Sequence, residues 1–226
     1  MSALRLLTSM ASRELLVDLA ARFENASSQS VSIEAAGGVE VAKRVRGGEA
    51  ADIVVLARKT IEDLARGGSL IATSITDIAK SGIAVAVPAG ALSPDVATAE
   101  SLKRAVMAAG SISYSTGPSG VYLEKIFAGW GVLEELRRRI VVPPPGVPVG
   151  SLLVSGAVQL GFQQLSELIN LPGIRVLGPL PAAMQLTTIF SGAVACVSTR
   201  AQAASALLHY LASAEVRDIK PRFGME

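Results

Sequence analysis

The chain has 226 residues, half of them hydrophobic and 18% charged, which is enough to bury one good core or two modest ones and too apolar for a disordered protein. Its 21 Lys and Arg nearly balance 19 Asp and Glu, so the net charge of +2 gives no basic field to hold nucleic acid, and 4% aromatic residues leave little to stack bases or sugars. One Cys and one His exclude an intramolecular disulfide and a Cys/His zinc cluster, so no metal or other cofactor is expected.

The first third alternates short apolar runs with amphipathic segments, the βα order of a parallel sheet. Leu4 to Thr8 reads as a strand and Ser12 to Asn25 as a helix with Leu15, Leu16, Leu19 and Phe23 on one face. A second unit follows with strand Val31 to Ala35, the turn Ala36-Gly37-Gly38 and helix Val39 to Arg46. A third has strand Asp52 to Leu56 and helix Thr60 to Arg66, ended by Gly67-Gly68.

Ile83 to Pro88 reads as an apolar strand, and the looser Ala/Gly/Pro/Ser stretch from Ala89 to Ala99 as the first crossing to a second lobe. That lobe is expected to hold helix Ala99 to Ala108, strand Ser111 to Ser115, helix Ser119 to Trp130, a short helix to Arg138 and strand Ile140 to Val142. The run Pro143-Pro144-Pro145-Gly146 reads as a stiff turn. Helix Gly150 to Ser155, strand Val158 to Phe162 and a strand near Arg175 to Leu177 come next. Leu186 to Val197 reads as a buried strand returning to the first lobe, and two helices, Ala201 to Ala212 and Ala214 to Phe223, close the chain. The lobes are then residues 1–82 with 190–226, and 83–189. Cys196, inside the apolar run Ser191 to Val197, reads as a small buried hydrophobe, and His209, in a helical pattern, as structural.

Three strand-to-helix turns share a Ser or Gly pair just before a helix: Ser9-Met10-Ala11-Ser12, Ala36-Gly37-Gly38 and Thr116-Gly117-Pro118-Ser119-Gly120. A helix N-terminus offers unpaired N–H groups and about half a positive charge, so such turns hold an anion without Lys or Arg, and small residues let it approach the backbone. Ordinary capping is the bland alternative. Gly117-Pro118-Ser119-Gly120 lacks the Lys-Ser/Thr ending of a Walker loop, and Val121 denies Ser119 a Gly-x-Ser-x-Gly elbow, which disfavours nucleotide and serine hydrolysis.

The order Leu-Thr-Ser-Met-Ala-Ser near the start, the block from Gly37 to Asp52, Gly117-Pro118-Ser119-Gly120-Val121-Tyr122 and Gly161-Phe162 together resemble the molybdate-binding proteins of ABC importers over nearly the whole chain. The block ending in Ala51-Asp52 before an apolar strand is its most specific part. The resemblance implies a two-lobed type II periplasmic-binding-protein fold, three-layer α/β lobes joined by two crossing strands, with a small anion dehydrated between them and an ABC permease as partner. It places one oxyanion serine in the turn from Ser9 to Ser12 and a second at about Gly38, where this chain has no hydroxyl. It puts second-lobe backbone contacts around Pro118, Ser119 and Gly120 and around Val149, Gly150 and Ser151. A tyrosine of the family falls at Gln164, beside Gln163.

Two glutamines both donate and accept, whereas tetrahedral oxyanion sites favour donors alone, so a carboxylate ligand fits the replacements. Arg13, Lys43 or Arg44 could add charge. Some relatives look like aconitate isomerases, which move a proton across an allylic polycarboxylate. In that alternative Glu40 could act as base with Tyr114, Tyr122 or Ser119 relaying the proton; otherwise Glu40 only complements a helix start. No run of about 18 apolar residues crosses a membrane. Met1 to Leu7 is too short for a signal peptide ahead of the fold, so the chain reads as cytoplasmic, or as periplasmic if it begins near a mature N-terminus.

Overall fold

A computed structural model describes residues 3–144 and 147–226. The chain divides into two compact units, one formed by residues up to Ser81 with Thr188–Glu226 and the other by Gly82–Thr187. It leaves the first unit inside one strand and re-enters it at the start of another.

In the first unit β1 (Leu4–Ser9), β2 (Val31–Ala36) and β3 (Ile53–Ala57) run parallel, with β1 central. Helices α1 (Met10–Ser27), α2 (Gly38–Arg46) and α3 (Arg58–Arg66) each follow their strand with one residue or none between. Two later strands, β4 (Thr76–Pro88) and β8 (Thr187–Val194), enlarge the sheet; β8 pairs antiparallel with β3, Ile53 opposite Val194. The strands alternate between two cores. Leu4, Leu6, Ile53 and Val55 meet Leu15, Leu16, Leu19 and Phe23 of α1 and Leu207, Leu208 and Leu211 of α9 (Ala201–Ala212). Leu7, Val54 and Leu56 meet Val41, Val45, Ile61 and Leu64 of α2 and α3 on the other face. This is a three-layer sandwich, and the continuous apolar run of β3 follows from burial on both faces, whereas the edge strand β2 alternates apolar and polar residues.

Asp52 explains the specific block noted in the sequence. Its carboxylate accepts from the Arg5 N–H at 2.8 Å, from the Ser198 hydroxyl at 2.7 Å and from the Arg200 guanidinium, tying β1 to the segment after β8. Burial alone would raise its pKa, but these bonds outweigh burial and hold it below the ordinary carboxylate value. Beside it, Arg5 and Arg44 alternate with Glu34 and Glu49 in a four-membered ring of ion pairs.

In the second unit, α4 (Ala99–Ala108) leads to β5 (Ile112–Tyr114), α5 (Pro118–Gly129), α6 (Leu133–Leu136), α7 (Val149–Val154), β6 (Leu160–Gln164), α8 (Leu165–Leu168) and β7 (Ile174–Pro179). β5 and β6 are parallel, Tyr114 opposite Phe162, and β4 pairs antiparallel with both β6 and β7. Ile83, Val85 and Val87 pack with Leu102, Leu123 and Phe127, while Ala84 and Ala86 turn to Leu153, Val158 and Leu168, so this sheet also has a core on each face.

Several expectations need correction. β4 begins at Thr76, well before Ile83, and the chain passes between units within it, at Ser81, and not in the stretch 89–99. Ile140 forms a single bridge to Ile112 in place of a strand to Val142. Cys196 is exposed, because β8 ends at Val194 and the apolar run leaves the sheet before reaching it. The final segment Ala214–Phe223 is a 3-10 helix. The turn expected at 143–146 includes Pro145 and Gly146, which lie outside the described residues, as do Met1 and Ser2. Among the described residues no helix is long and apolar enough to cross a membrane.

Candidate functional site

Ligands of open α/β folds sit at the carboxyl ends of parallel strands. In the first unit that edge is made by Ser9, Ala36 and Ala57 and the helices that follow them. Ser9 occupies the N-cap position of α1, yet its hydroxyl makes no capping bond; α2, α3 and α5 likewise start without a side-chain cap. Helix α4 is the contrast, since Thr98 and Ser101 close a full capping box there. Side-chain capping therefore does not account for the small residues at the three turns, and the partial positive charge of those helix starts, with the N–H groups not bonded inside the turn, stays available.

The serine hydroxyls of the first turn form an ordered chain. Thr8 spends its only proton on the Val55 carbonyl at 3.0 Å, so in the 2.7 Å contact between Thr8 and Ser12 the donor must be Ser12. With the Ser12 proton committed, Ser9 is the donor in its 3.3 Å contact with Ser12, a long bond that this outer hydroxyl can exchange for one to an anion. Ser12, buried, positions Ser9. Gly38 stands beside them: a Cβ built there would lie 3.8 Å from the Ser9 Cβ and 3.9 Å from Leu56. Met10 and Val39, in the first turns of α1 and α2, are exposed apolar side chains at the same edge.

The second unit repeats the device. Ser115, just past β5, meets Ser119 of α5 hydroxyl to hydroxyl at 2.7 Å, with the same four-residue spacing as Thr8 and Ser12. Pro118 has no N–H, and the Gly120 N–H bonds the Gly117 carbonyl at 3.0 Å, so Ser119 is the residue of that trio whose N–H is left as a donor. Gly120 has a steric role, because a Cβ there would fall 1.7 Å from the Ser115 carbonyl oxygen.

Gly150 and Gln163 are brought together, but onto each other: the Gly150 N–H donates to Gln163 Oε1 at 3.1 Å, and Gln163 Nε2 donates to Glu167 at 2.7 Å. The Ser151 N–H bonds the Pro148 carbonyl. Gln164 ends β6, buried, and starts α8. Glu167, not singled out from the sequence, lies beside them; burial pushes its carboxyl up to about 7, against the pull of the Gln163 amide. Its environment is assembled from two segments, and only its place after the two glutamines could have pointed to it.

Of the proposed cations and proton-relay candidates, Ser119 stands at such an edge, and the others are exposed or engaged with partners of their own. Arg13 is exposed and paired with Glu14, Arg44 belongs to the ion-pair ring, and Lys43 is exposed. Tyr114 donates to Glu124 at 3.0 Å, and its phenol is pushed up by burial; Tyr122 donates to the Met184 carbonyl. Glu40 is exposed in the first turn of α2, the place of a residue that complements the helix dipole. Among the described residues no group of three or more His, Cys, Asp or Glu is arranged to hold a metal ion.

The family model described as bacterial extracellular solute-binding protein matches residues 4–226. The chain belongs to this family. A curated aconitate isomerase from Pseudomonas sp. is 35% identical over 201 residues, covering 87% of this chain and 77% of that protein. Among solved structures, the periplasmic molybdate-binding protein of Azotobacter vinelandii superposes with a TM-score of 0.82 at 20% identity, covering 99% and 98% of the two chains. Peb3 from Campylobacter jejuni gives 0.74 at 14% identity, covering 99% of each, and has also been solved bound to L-phospholactate. The fold of this family member is thus that of the periplasmic binding proteins.

Proposed function

We propose that this solute-binding family member captures a small polycarboxylate of the aconitate type and interconverts its double-bond isomers. The observation that carries the reading is the relative at 35% identity over most of the chain, an aconitate isomerase. The site chemistry agrees with it. In the first unit the uncapped start of α1 and the Ser9 hydroxyl offer donors to carboxylate oxygens, while Met10 and Val39 suit the carbon body of an organic acid better than a bare oxyanion; in the second unit, by itself, the uncapped start of α5 and the Ser119 hydroxyl offer donors of the same kind. The resemblance puts a hydroxyl of the importer proteins at about Gly38 and a phenol at Gln164, so this chain lacks both there.

A second reading, capture of a molybdate-like oxyanion for an ABC permease, is favoured by the Ser9, Ser12 and Thr8 hydroxyl chain. Under it the mature protein works in the periplasm, as its family description suggests.

One experiment separates them. Thermal denaturation is followed with molybdate, tungstate, sulfate, citrate and each aconitate isomer, where a ligand at 100 times its dissociation constant adds about 2.7 kcal/mol. Each aconitate isomer is then incubated with protein and assayed by proton NMR. Stabilisation by aconitate with appearance of the other isomer is expected. Selective stabilisation by molybdate and tungstate, with no conversion, would replace this reading by the importer one.

A further inference from the structure

The isomerisation moves one proton. A C–H bond of the substrate methylene breaks, its electron pair spreads over the allylic system and the neighbouring carboxylate, and a proton returns to the former vinyl carbon. No electrons enter or leave, and one base can take the proton and give it back. That base must be held in place, keep one carboxylate oxygen open, and sit at a strand edge where the substrate's carboxylates have donors.

We infer that Glu167 is this base, an assignment that rests on the isomerase reading. Gln163, almost fully buried on β6, has its amide orientation fixed from both ends. Its Oε1 must face the Gly150 N–H, so its Nε2 must face Glu167. Gly150 in turn cannot be replaced without displacing its neighbour, since a Cβ there would lie 2.3 Å from Leu171 Cδ2. One oxygen of Glu167 is clamped in this way, and the other has no partner among the described residues. The carboxyl stands three residues past Gln164, where β6 ends. Because Tyr114 pairs with Phe162, continuing the register puts Ser115 level with Gln163, so the Ser115 and Ser119 hydroxyls lie at the same edge.

Among the described residues of β6, α7, β7 and the segment after α8, no other charge competes for the group. β6, α7 and residues 169–173 carry no ionisable side chain, and Arg175 of β7 is turned to the Ser93 hydroxyl at 2.7 Å. A carboxyl poised near neutrality by its surroundings is suited to accept a carbon-bound proton.

The test compares wild type, Glu167→Gln and Glu167→Asp for aconitate interconversion by NMR, and for aconitate binding by calorimetry. Glu167→Gln is expected to bind with a dissociation constant within about threefold of wild type and to lose turnover by about 10²-fold or more. Glu167→Asp, which retracts the carboxylate, is expected to keep partial activity. The wild-type kcat should rise with pH to a plateau, and that limb should vanish from the residual rate of Glu167→Gln. Turnover in Glu167→Gln above a tenth of wild type would overturn the assignment while leaving the isomerase reading intact. So would equal loss of binding and turnover, which would make Glu167 a binding group. A wild-type protein that binds aconitate but converts neither isomer would remove the isomerase reading and this assignment together.

Discussion

The Glu167→Gln substitution tests the electrostatics of the second unit even in the absence of ligand. The folded protein holds the Glu167 proton up to about pH 7, whereas an unfolded glutamate releases it near 4.5. Between those values the folded state binds more protons than the unfolded one, so stability falls as pH rises through the window and is level above it. A shift of that size corresponds to about 3 kcal/mol, a ceiling because the carboxyl keeps some contact with water. The neutral amide still accepts from Gln163 and carries no such cost. Urea denaturation of both proteins at pH 5 and pH 8 isolates the effect. The variant should gain about 2 to 3 kcal/mol over wild type at pH 8 and less than about 1 kcal/mol at pH 5. An equal difference at the two values would show that the carboxyl titrates normally and would refute the account of its burial.

Asp52→Asn should cost about 2 to 3 kcal/mol in denaturant titrations at pH 7, since Arg200 loses its buried counter-charge. Because Asp52 titrates below its ordinary value, the stability it contributes is present above that value and is lost as pH falls through the lowered one, so the deficit of the variant should shrink in acid. Gly120→Ala forces a Cβ onto the Ser115 carbonyl and should cost on the order of 3 kcal/mol, with weaker aconitate binding by calorimetry as the Ser115 and Ser119 pair is displaced. Gly38→Ser meets only ordinary contacts and should leave stability within about 0.5 kcal/mol; its added hydroxyl beside Ser9 should raise the molybdate-to-aconitate affinity ratio measured by calorimetry.

The parallel strands and their helices were legible because the signals were local: the apolar run of β3, the alternation in β2, an amphipathic stripe in α1, and Gly67-Gly68 after α3, where Gly68 adopts φ +78°. Helices α4 and α9 fall where the sequence placed them for the same reason. The first half of β4, Thr-Asp-Ile-Ala-Lys-Ser, carries residues that strands disfavour. It is made a strand by distant partners: Ser191 donates to Asp77, and residue 226 exchanges two backbone bonds with Lys80. A single-turn helix such as α8 has no period to detect.

At the candidate site, the sequence points to the turns but not to the hydrogen bonds within them. It named Ser9 and Ser12 alike, whereas the proton of Ser12 is fixed by Thr8, and Thr8 by Val55 on the next strand. It offered Gln163 to the ligand, whereas the amide is engaged by Gly150 and Glu167. Each of these facts depends on who sits across a strand or a helix, which spacing along the chain does not encode.

The discontinuity of the first unit sets the order in which the molecule can be made. Gly82–Thr187 is one unbroken stretch and has left the ribosome entire before Thr188 follows. The earlier segment must wait, because β3 receives its antiparallel neighbour only when Phe190 to Val194 arrive. At 5–20 residues per second that gap is about 7 to 30 s of synthesis, during which Ile53 to Ala57 presents an open, apolar edge. The part translated first is therefore the part completed last, and a chaperone that shields nascent strands would act on β1 to β3.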